Sequence, residues 1–528
     1  MPATSLEHVI GQDFARIHGR EAWRNNLTLA RMAAGRMKSS LGPMGAFKLV
    51  TYNRGPELVV KVTKDPVDVL EELGVEFAGV RVISEAAKLH REELGDGVTS
   101  FLVFFAALLD GADRMMAIGI HPLTVLRGYR EAVKKSHEII DAIASDLNEA
   151  SYDPILRTVD CGRDMLTPEL RPLLIEAAKL AIRNGKVDKS KVRIAKKSGG
   201  NVEQSELVRG IIIEKEKAHA SMPDILEEPR VAVITMQMDV KHFEPKMKGE
   251  GRFPMKLVIT KMHQLSAFKA EELRMKLRMV EKLKALGVNV VMTRSLMADE
   301  VKDALAREGI LGLFSLTQED IEAAADATGA KIVGNVDELT SSDLGRADRV
   351  WVEKIDGRES VTMTGGKGVT LLLRGSLPEK VRELEKAITS GIRVLSRAMG
   401  GDKLVPGGAA ATAHIAGALR RHALSFDGKE QIAIESFAEA LEEIPECLAR
   451  NYGLDVVDTM TRLRSLHSNG GSSIGVSEGG CTDMKSGDVV ELASTHKAFL
   501  RRAYEVASLM LRIDDFITIK EFPKVHKQ

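Results

Sequence analysis

Cysteine is scarce in this chain. Cys161, Cys447 and Cys481 are the only three in 528 residues, widely spaced and odd in number. A disulfide framework and a paired-cysteine zinc site are therefore not expected. Aromatic residues make up 4%, too few for a platform that stacks single-stranded bases. Neither sign of charge is in excess: Lys+Arg and Asp+Glu each count 75, so no global basic field attracts nucleic acid. No apolar run approaches the ~20 residues of a membrane span. The N-terminal "MPATSLEHVIGQDF" has no basic segment leading into an apolar one, so no signal peptide is expected. A reducing cytoplasm is the expected location, with no membrane and no nucleic acid as partner. GxxxxGK[ST] is missing, no GxGxxG follows a strand, and no serine sits in a GxSxG elbow. The 13 histidines show no metal-ligand spacing. P-loop, dinucleotide, esterase and zinc-enzyme chemistry are thereby disfavoured.

What is present fits a globular protein of about three domains, with 44% hydrophobic and 28% charged residues. Residues 1–145 read mostly as helix. "LTLARMAAGRMKSSLG" aligns Leu27, Ala30, Ala34 and Met37 on one stripe and stops at Gly42-Pro43. "PLTVLRGYREAVKKSHEIIDAIASDL" is a second long amphipathic helix with Pro122 near its start. Residues 150–200 are mixed, with one helix around "PELRPLLIEAAKLAI". After about residue 205 the pattern changes. Short β-branched runs ("GIIIEK", "RVAVIT", "KLVIT", "VNVVMT", "ILGLFSL", "KIVG") alternate with helical ones, which indicates an α/β region with at least some parallel strands. "GVTLLLRG" is expected to close that region near residue 375, and from 378 the chain is again helical. The two helical ends are expected to form one domain around the insert.

Chemistry concentrates in glycine loops. In "LGDGVTS" (94–100), Gly95 and Gly97 allow close backbone approach, and the helix start that follows favours an anion. Thr99 and Ser100 add hydroxyl donors, and Asp96 is suited to Mg²⁺ rather than to phosphate itself. A plain glycine turn with a capping Asp or Thr has the same pattern. "SSLGPMGAFK" (39–48) and "LVPGGAAATAH" (404–414) are two more such loops, each explicable by helix capping alone. Asp65 in "VTKDPVDVL" reads as an N-cap with proline at the first helical position.

These loops, in this order, resemble the group II chaperonins, the thermosome-like family of archaea and the eukaryotic cytosol. Leu41–Gly45 is similar to the family's LGP loop, Asp65 to the aspartate of its NDG loop, and Gly95–Thr99 to its GDGTT loop. "GIHPLTVLRGYREA", "ELVRGIIIEKEKAHASMP", "SSDLG", Val405–Gly408, "NYGLD", "LRSLH" and "LRIDD" continue the likeness to the C-terminal end. The resemblance implies a multidomain α+β fold. A mainly helical equatorial ATP-binding domain would span 1–145 and 401–528. A small mixed α/β intermediate domain would span 146–208 and 363–400. An α/β apical substrate-binding domain would span 209–362, with a built-in helical protrusion at about 240–275. It implies ATP and Mg²⁺ as cofactors. Unfolded protein clients are the implied partners, with assembly as a homo-oligomer or hetero-oligomer in stacked rings. The implied nucleotide-binding residues are Leu41, Gly42, Pro43, Gly95, Asp96, Gly97, Val98, Thr99, Ser100, Gly407, Gly408 and Glu491, with Asp96 on the metal. Met262, Leu265 and Phe268 lie at helical spacing in the protrusion, where a client surface and a buried amphipathic face are equally good readings.

The chain departs from the family at places that matter. The catalytic aspartate of the intermediate domain aligns with Ser390, leaving Asp65 as the remaining catalytic carboxylate. Val381, Leu384, Ile388, Ile392 and Leu395 form the apolar stripe of this helix, and Ser390 is expected on the polar face toward the cleft. A serine hydroxyl is no general base at neutral pH, and losing one slows a reaction by about 10²–10⁴-fold. Phe47, Met44, Val98 and Ala409 stand where the family has an aspartate, a basic residue, a threonine and a glycine. NDG has become "KDP", and a lysine sensor is replaced by Arg163. Weakened nucleotide and Mg²⁺ binding with slow or absent hydrolysis is the expectation. A subunit with a purely structural place in the ring is the alternative.

Overall fold

The computed structural model describes residues 14–18, 28, 31–33, 35–54, 57–73, 78–159, 165–183, 186–187, 192–239, 262–355, 357–366, 368–513 and 515–519. The chain divides into two compact units: residues 1–171 with 386–528, and residues 172–385. Both chain ends thus belong to one unit and the middle to the other.

The first unit is built on the helices Val98–Ala117, Pro122–Ile143, Ala410–Ala423, Lys429–Asn451 and Ala493–Met510. Val98–Ala117 carries apolar side chains on nearly every face, which suits a helix enclosed by others. The few aromatics gather here. Phe104 meets the edges of Phe437 at 5.0 Å and Phe499 at 5.9 Å. Tyr129 packs on Phe437, and its hydroxyl donates to the Leu108 carbonyl at 2.8 Å. These rings tie the helices Val98–Ala117 and Pro122–Ile143 to Lys429–Asn451 and Ala493–Met510 within one core. The strands Phe14–His18 and Asp515–Ile519 pair antiparallel in the same unit.

In the second unit, Leu311–Leu313, Val290–Thr293, Arg230–Ile234 and Ile332–Val333 form a parallel array, with Gly345–Arg346 antiparallel to Arg230–Ile234. Helices Met262–Ala285, Asp299–Arg307 and Gln318–Thr328 supply the crossovers. The strands Val290–Thr293 and Leu311–Leu313 are buried at every position, as a sheet covered on both faces requires. A second sheet is antiparallel, in the order Ile225–Glu227, Arg349–Ile355, Arg358–Thr364, Gly210–Ile213.

Strand partners are what the sequence leaves open. "GVTLLLRG" is the last strand of the second unit, as expected of the region's end, but Val369–Gly375 lies in a separate three-stranded sheet, parallel to Val192–Ser198 and antiparallel to Glu206–Val208. A continuous apolar run announces a buried strand but carries no record of which sheet it joins. "GIIIEK" likewise pairs in the antiparallel sheet, outside the parallel array. Of the proposed protrusion, residues 240–261 lie outside the described residues, and the rest begins the helix Met262–Ala285. Among the described residues, no helix is long and apolar enough to cross a membrane.

Candidate functional site

The glycine loops converge on one cavity of about 530 Å³ in the first unit. Each loop is held by contacts that explain its sequence. After the turn Lys38–Ser40, Gly42 adopts φ 79°, and a Cβ there would come within 2.4 Å of Leu448 Cδ2. Asn451 fastens the same loop by donating to the carbonyls of Lys38 and Leu41 at 2.9 and 2.8 Å. Gly95 and Gly97 both sit at φ 79°, where side chains are strained. Gly97 is the N-cap of Val98–Ala117 and Ala409 the N-cap of Ala410–Ala423, and neither supplies a side-chain cap.

Gly97 and Ala409 both line the cavity. The first-turn N–H groups and positive dipole ends of two helices therefore open on one space, the arrangement that binds phosphate. Asp96 and Ser100 line it beside Gly97, and Gly408 and Thr412 beside Ala409. Lys64 also lines the wall, its ammonium donating to the Gly42 carbonyl at 3.1 Å. Glu491 lies at the wall with His496, whose Nε2 is 2.8 Å from the Glu491 carboxylate. The His496 ring is buried, and its Nδ1 has no partner among the described residues.

Of the residues singled out in the sequence, Leu41, Gly42, Pro43, Asp96, Gly97, Ser100, Gly408 and Glu491 line this cavity. Gly95, Val98, Thr99 and Gly407 lie directly beside lining residues in the chain without lining it themselves. Val98 and Thr99 are buried, and a Cβ on Gly407 would meet Glu491 Oε1 at 2.9 Å. Asp65 is buried and outside the wall. Its carboxylate accepts from the Val67 N–H at 2.9 Å, as an N-cap does, and pairs with Arg91. Ser390 is 3% exposed rather than on an open polar face, and its carbonyl lies 2.7 Å from where a Cβ of Gly95 would stand. The periodicity placed Ser390 opposite the apolar stripe correctly, but that second face is itself covered by the Gly95 loop. Arg163 lies outside the described residues, as do the side chains of Met262, Leu265 and Phe268.

Sequence reasoning missed Lys64, His496, Arg393 and Arg397. Arg393 donates to the Arg91 carbonyl at 3.3 Å and Arg397 to the Leu94 carbonyl at 3.2 Å. Two cations thus cap the C-terminal end of Ala78–Leu94, where the dipole is negative, and fix the loop that follows. The signal was available: positions 390, 393 and 397 share one helical face. Behind Gly97, burial first, and then the nearby Arg502 and Arg397, push the His90 imidazole down to about 3. It is neutral at physiological pH and stacks on Phe101 at 5.6 Å. Among the described residues no cluster of three or more His, Cys, Asp or Glu side chains could hold a metal. Three carboxylates line the cavity, Asp96, Asp488 and Glu491, and Asp96, beside the Gly97 helix start, is the one placed to hold a Mg²⁺ whose shell phosphate oxygens complete.

Comparison with known proteins gives one consistent result. Residues 34–521 match the model of the TCP-1/cpn60 chaperonin family. A thermosome subunit of Methanopyrus kandleri is 36% identical, covering 98% of this chain and 95% of its own. The thermosome subunit alpha of Thermoplasma acidophilum is 35% identical over 97% of this chain and 94% of its own. The thermosome subunit beta of Methanothermobacter thermautotrophicus is 34% identical over 96% and 94%.

Proposed function

The chain belongs to the TCP-1/cpn60 chaperonin family, and from that premise we propose that it is a group II chaperonin subunit. It binds ATP with Mg²⁺ in the glycine-loop cavity and encloses unfolded proteins in a cytoplasmic double ring, alone or with related subunits. The carrying observation is the meeting of two helix N-termini without side-chain caps, Lys64 and Asp96 on one cavity. The N–H groups at Gly97–Ser100 and Ala409–Thr412 take phosphate oxygens, Lys64 offsets their charge, and Glu491 with His496 meets the nucleoside. Mg²⁺ held by Asp96 neutralises phosphate charge when bound. The two ends of the chain form the equatorial domain, 1–145 and 401–528. Residues 146–208 and 363–400 form the intermediate domain, and 209–362 the apical domain.

Hydrolysis in this subunit is slow or absent. Ser390 offers no carboxylate, and the Asp65 carboxylate is engaged by Arg91 and the Val67 N–H. That chemistry also favours a second reading, a subunit that fills its place in the ring without an ATP cycle. The deciding experiment measures Mg²⁺-dependent ATP hydrolysis and ATP binding for the wild type and Ser390→Asp. Binding without turnover in the wild type, with turnover gained in the variant, is the expected result. Normal wild-type turnover refutes the role given to Ser390. Absence of binding in both gives the structural reading the lead.

A further inference from the structure

A second cavity, of about 270 Å³, lies in the same unit between helices Ala410–Ala423, Lys429–Asn451 and Val456–Ser468. It shares no lining residue with the glycine-loop cavity. Three arginines face it, Arg420, Arg421 and Arg464, against one carboxylate, Glu442.

Glu442 is almost fully buried, its side chain 4% exposed. Arg420 donates to it at 2.6 Å, and Arg464 at 3.0 and 2.6 Å, so its oxygens are saturated by the two guanidiniums. Each guanidinium keeps further N–H groups. Arg421 is exposed on its helix and adds a third positive charge. The cavity wall is therefore net positive and donor-rich, while its single acid has no acceptor capacity left. Two imidazoles complete the wall, His414 and His467, with ring centroids 5.8 Å apart. Nε2 of His467 is 2.7 Å from the Ile474 carbonyl, so it carries the ring proton and Nδ1 is a bare acceptor. Burial keeps this ring neutral. Of the buried polar side-chain atoms of these lining residues, His467 Nδ1 alone has no partner among the described residues.

We propose that this cavity binds a phosphate-class oxyanion, gripped by Arg420, Arg421 and Arg464 and selected by His467 Nδ1 for carrying a hydroxyl. Guanidinium groups match oxyanions well. The unpaired acceptor adds discrimination, because a buried polar atom left unmet disfavours the wrong ligand. Inorganic phosphate at neutral pH retains an O–H to donate. Sulfate does not, and neither does the dianion of a phosphate monoester. Free phosphate is the ligand the wall prefers, and phosphoryl groups on organic molecules are the weaker alternative.

The test is equilibrium dialysis of the full chain with radiolabelled inorganic phosphate, with and without saturating ADP. Sulfate and methyl phosphate serve as competitors. One phosphate equivalent that ADP does not displace is expected, with sulfate and methyl phosphate competing at least tenfold more weakly. Arg421→Ala, at an exposed position, should weaken it about tenfold or more. His467→Phe should abolish the preference over sulfate. Phosphate wholly displaced by ADP, binding indifferent to Arg421→Ala, or sulfate bound equally well each overturns the proposal. Should ADP itself fail to bind, the Arg421→Ala comparison still isolates this site from the glycine-loop cavity.

Discussion

Ala409 holds φ 61° at the N-cap of Ala410–Ala423, a left-handed backbone that a Cβ opposes. Ala409→Gly should relieve it, stabilising the protein by about 0.5–1 kcal/mol; thermal unfolding is the check, and an unchanged or lower midpoint refutes the strain. Glu442 is a different kind of residue. Burial raises its carboxyl pKa, but the bonds from Arg420 and Arg464 outweigh burial and hold it below the ordinary range. Its contribution is therefore complete above the unfolded pKa of about 4.3 and fades as pH falls through the depressed folded value. Asp68 behaves alike: burial raises it, and Lys386 with Lys61 overcomes this. Glu442→Gln leaves two partly exposed guanidiniums facing a neutral amide and should cost about 1–3 kcal/mol at pH 7. Denaturant midpoints against pH should show the gap to wild type narrowing in acid, and a constant gap refutes the ionic origin.

Among the elements, helix ends carry the chemistry. The N-terminus of Val98–Ala117 works only if Gly97 keeps φ 79°, and a Cβ there would press within 2.8 Å of Thr495 Cγ2. Gly97→Ala should lower ATP affinity at least tenfold through a displaced first turn. Isothermal titration measures it, and unchanged affinity would show that this N-terminus does not touch the ligand. Such ends were legible in "LGDGVTS" and "LVPGGAAATAH", since glycine before a helical run marks both a turn and exposed N–H groups. What those runs did not reveal is their convergence. Lys64 and His496 reach the same cavity only through tertiary packing, which no local pattern encodes.

Taken whole, the molecule was readable where its patterns are long. The helical ends and the alternating middle followed from periodicities sustained over many residues, and they fall into separate compact units. Strand partnership was not readable, as Val369–Gly375 shows, because an apolar strand buried on both faces fits any covered sheet. The proposed ring assembly predicts that the 57.7 kDa chain elutes as a particle many times that mass. Light scattering on the purified protein tests this, and a stable monomer would count against the ring assignment.

The antiparallel pair Phe14–His18 and Asp515–Ile519 has a consequence for birth at the ribosome. The first unit cannot close its core until the helix Ala493–Met510 has been synthesised, nor form this pair until the strand after it has. At ~5–20 residues per second, residues 172–385 alone take roughly 10–40 s to emerge. The insert has time to fold in that interval. The apolar helix Val98–Ala117 meanwhile waits for Phe437 and Phe499 to arrive. A subunit proposed to shelter unfolded chains thus begins as a nascent chain that needs shelter itself.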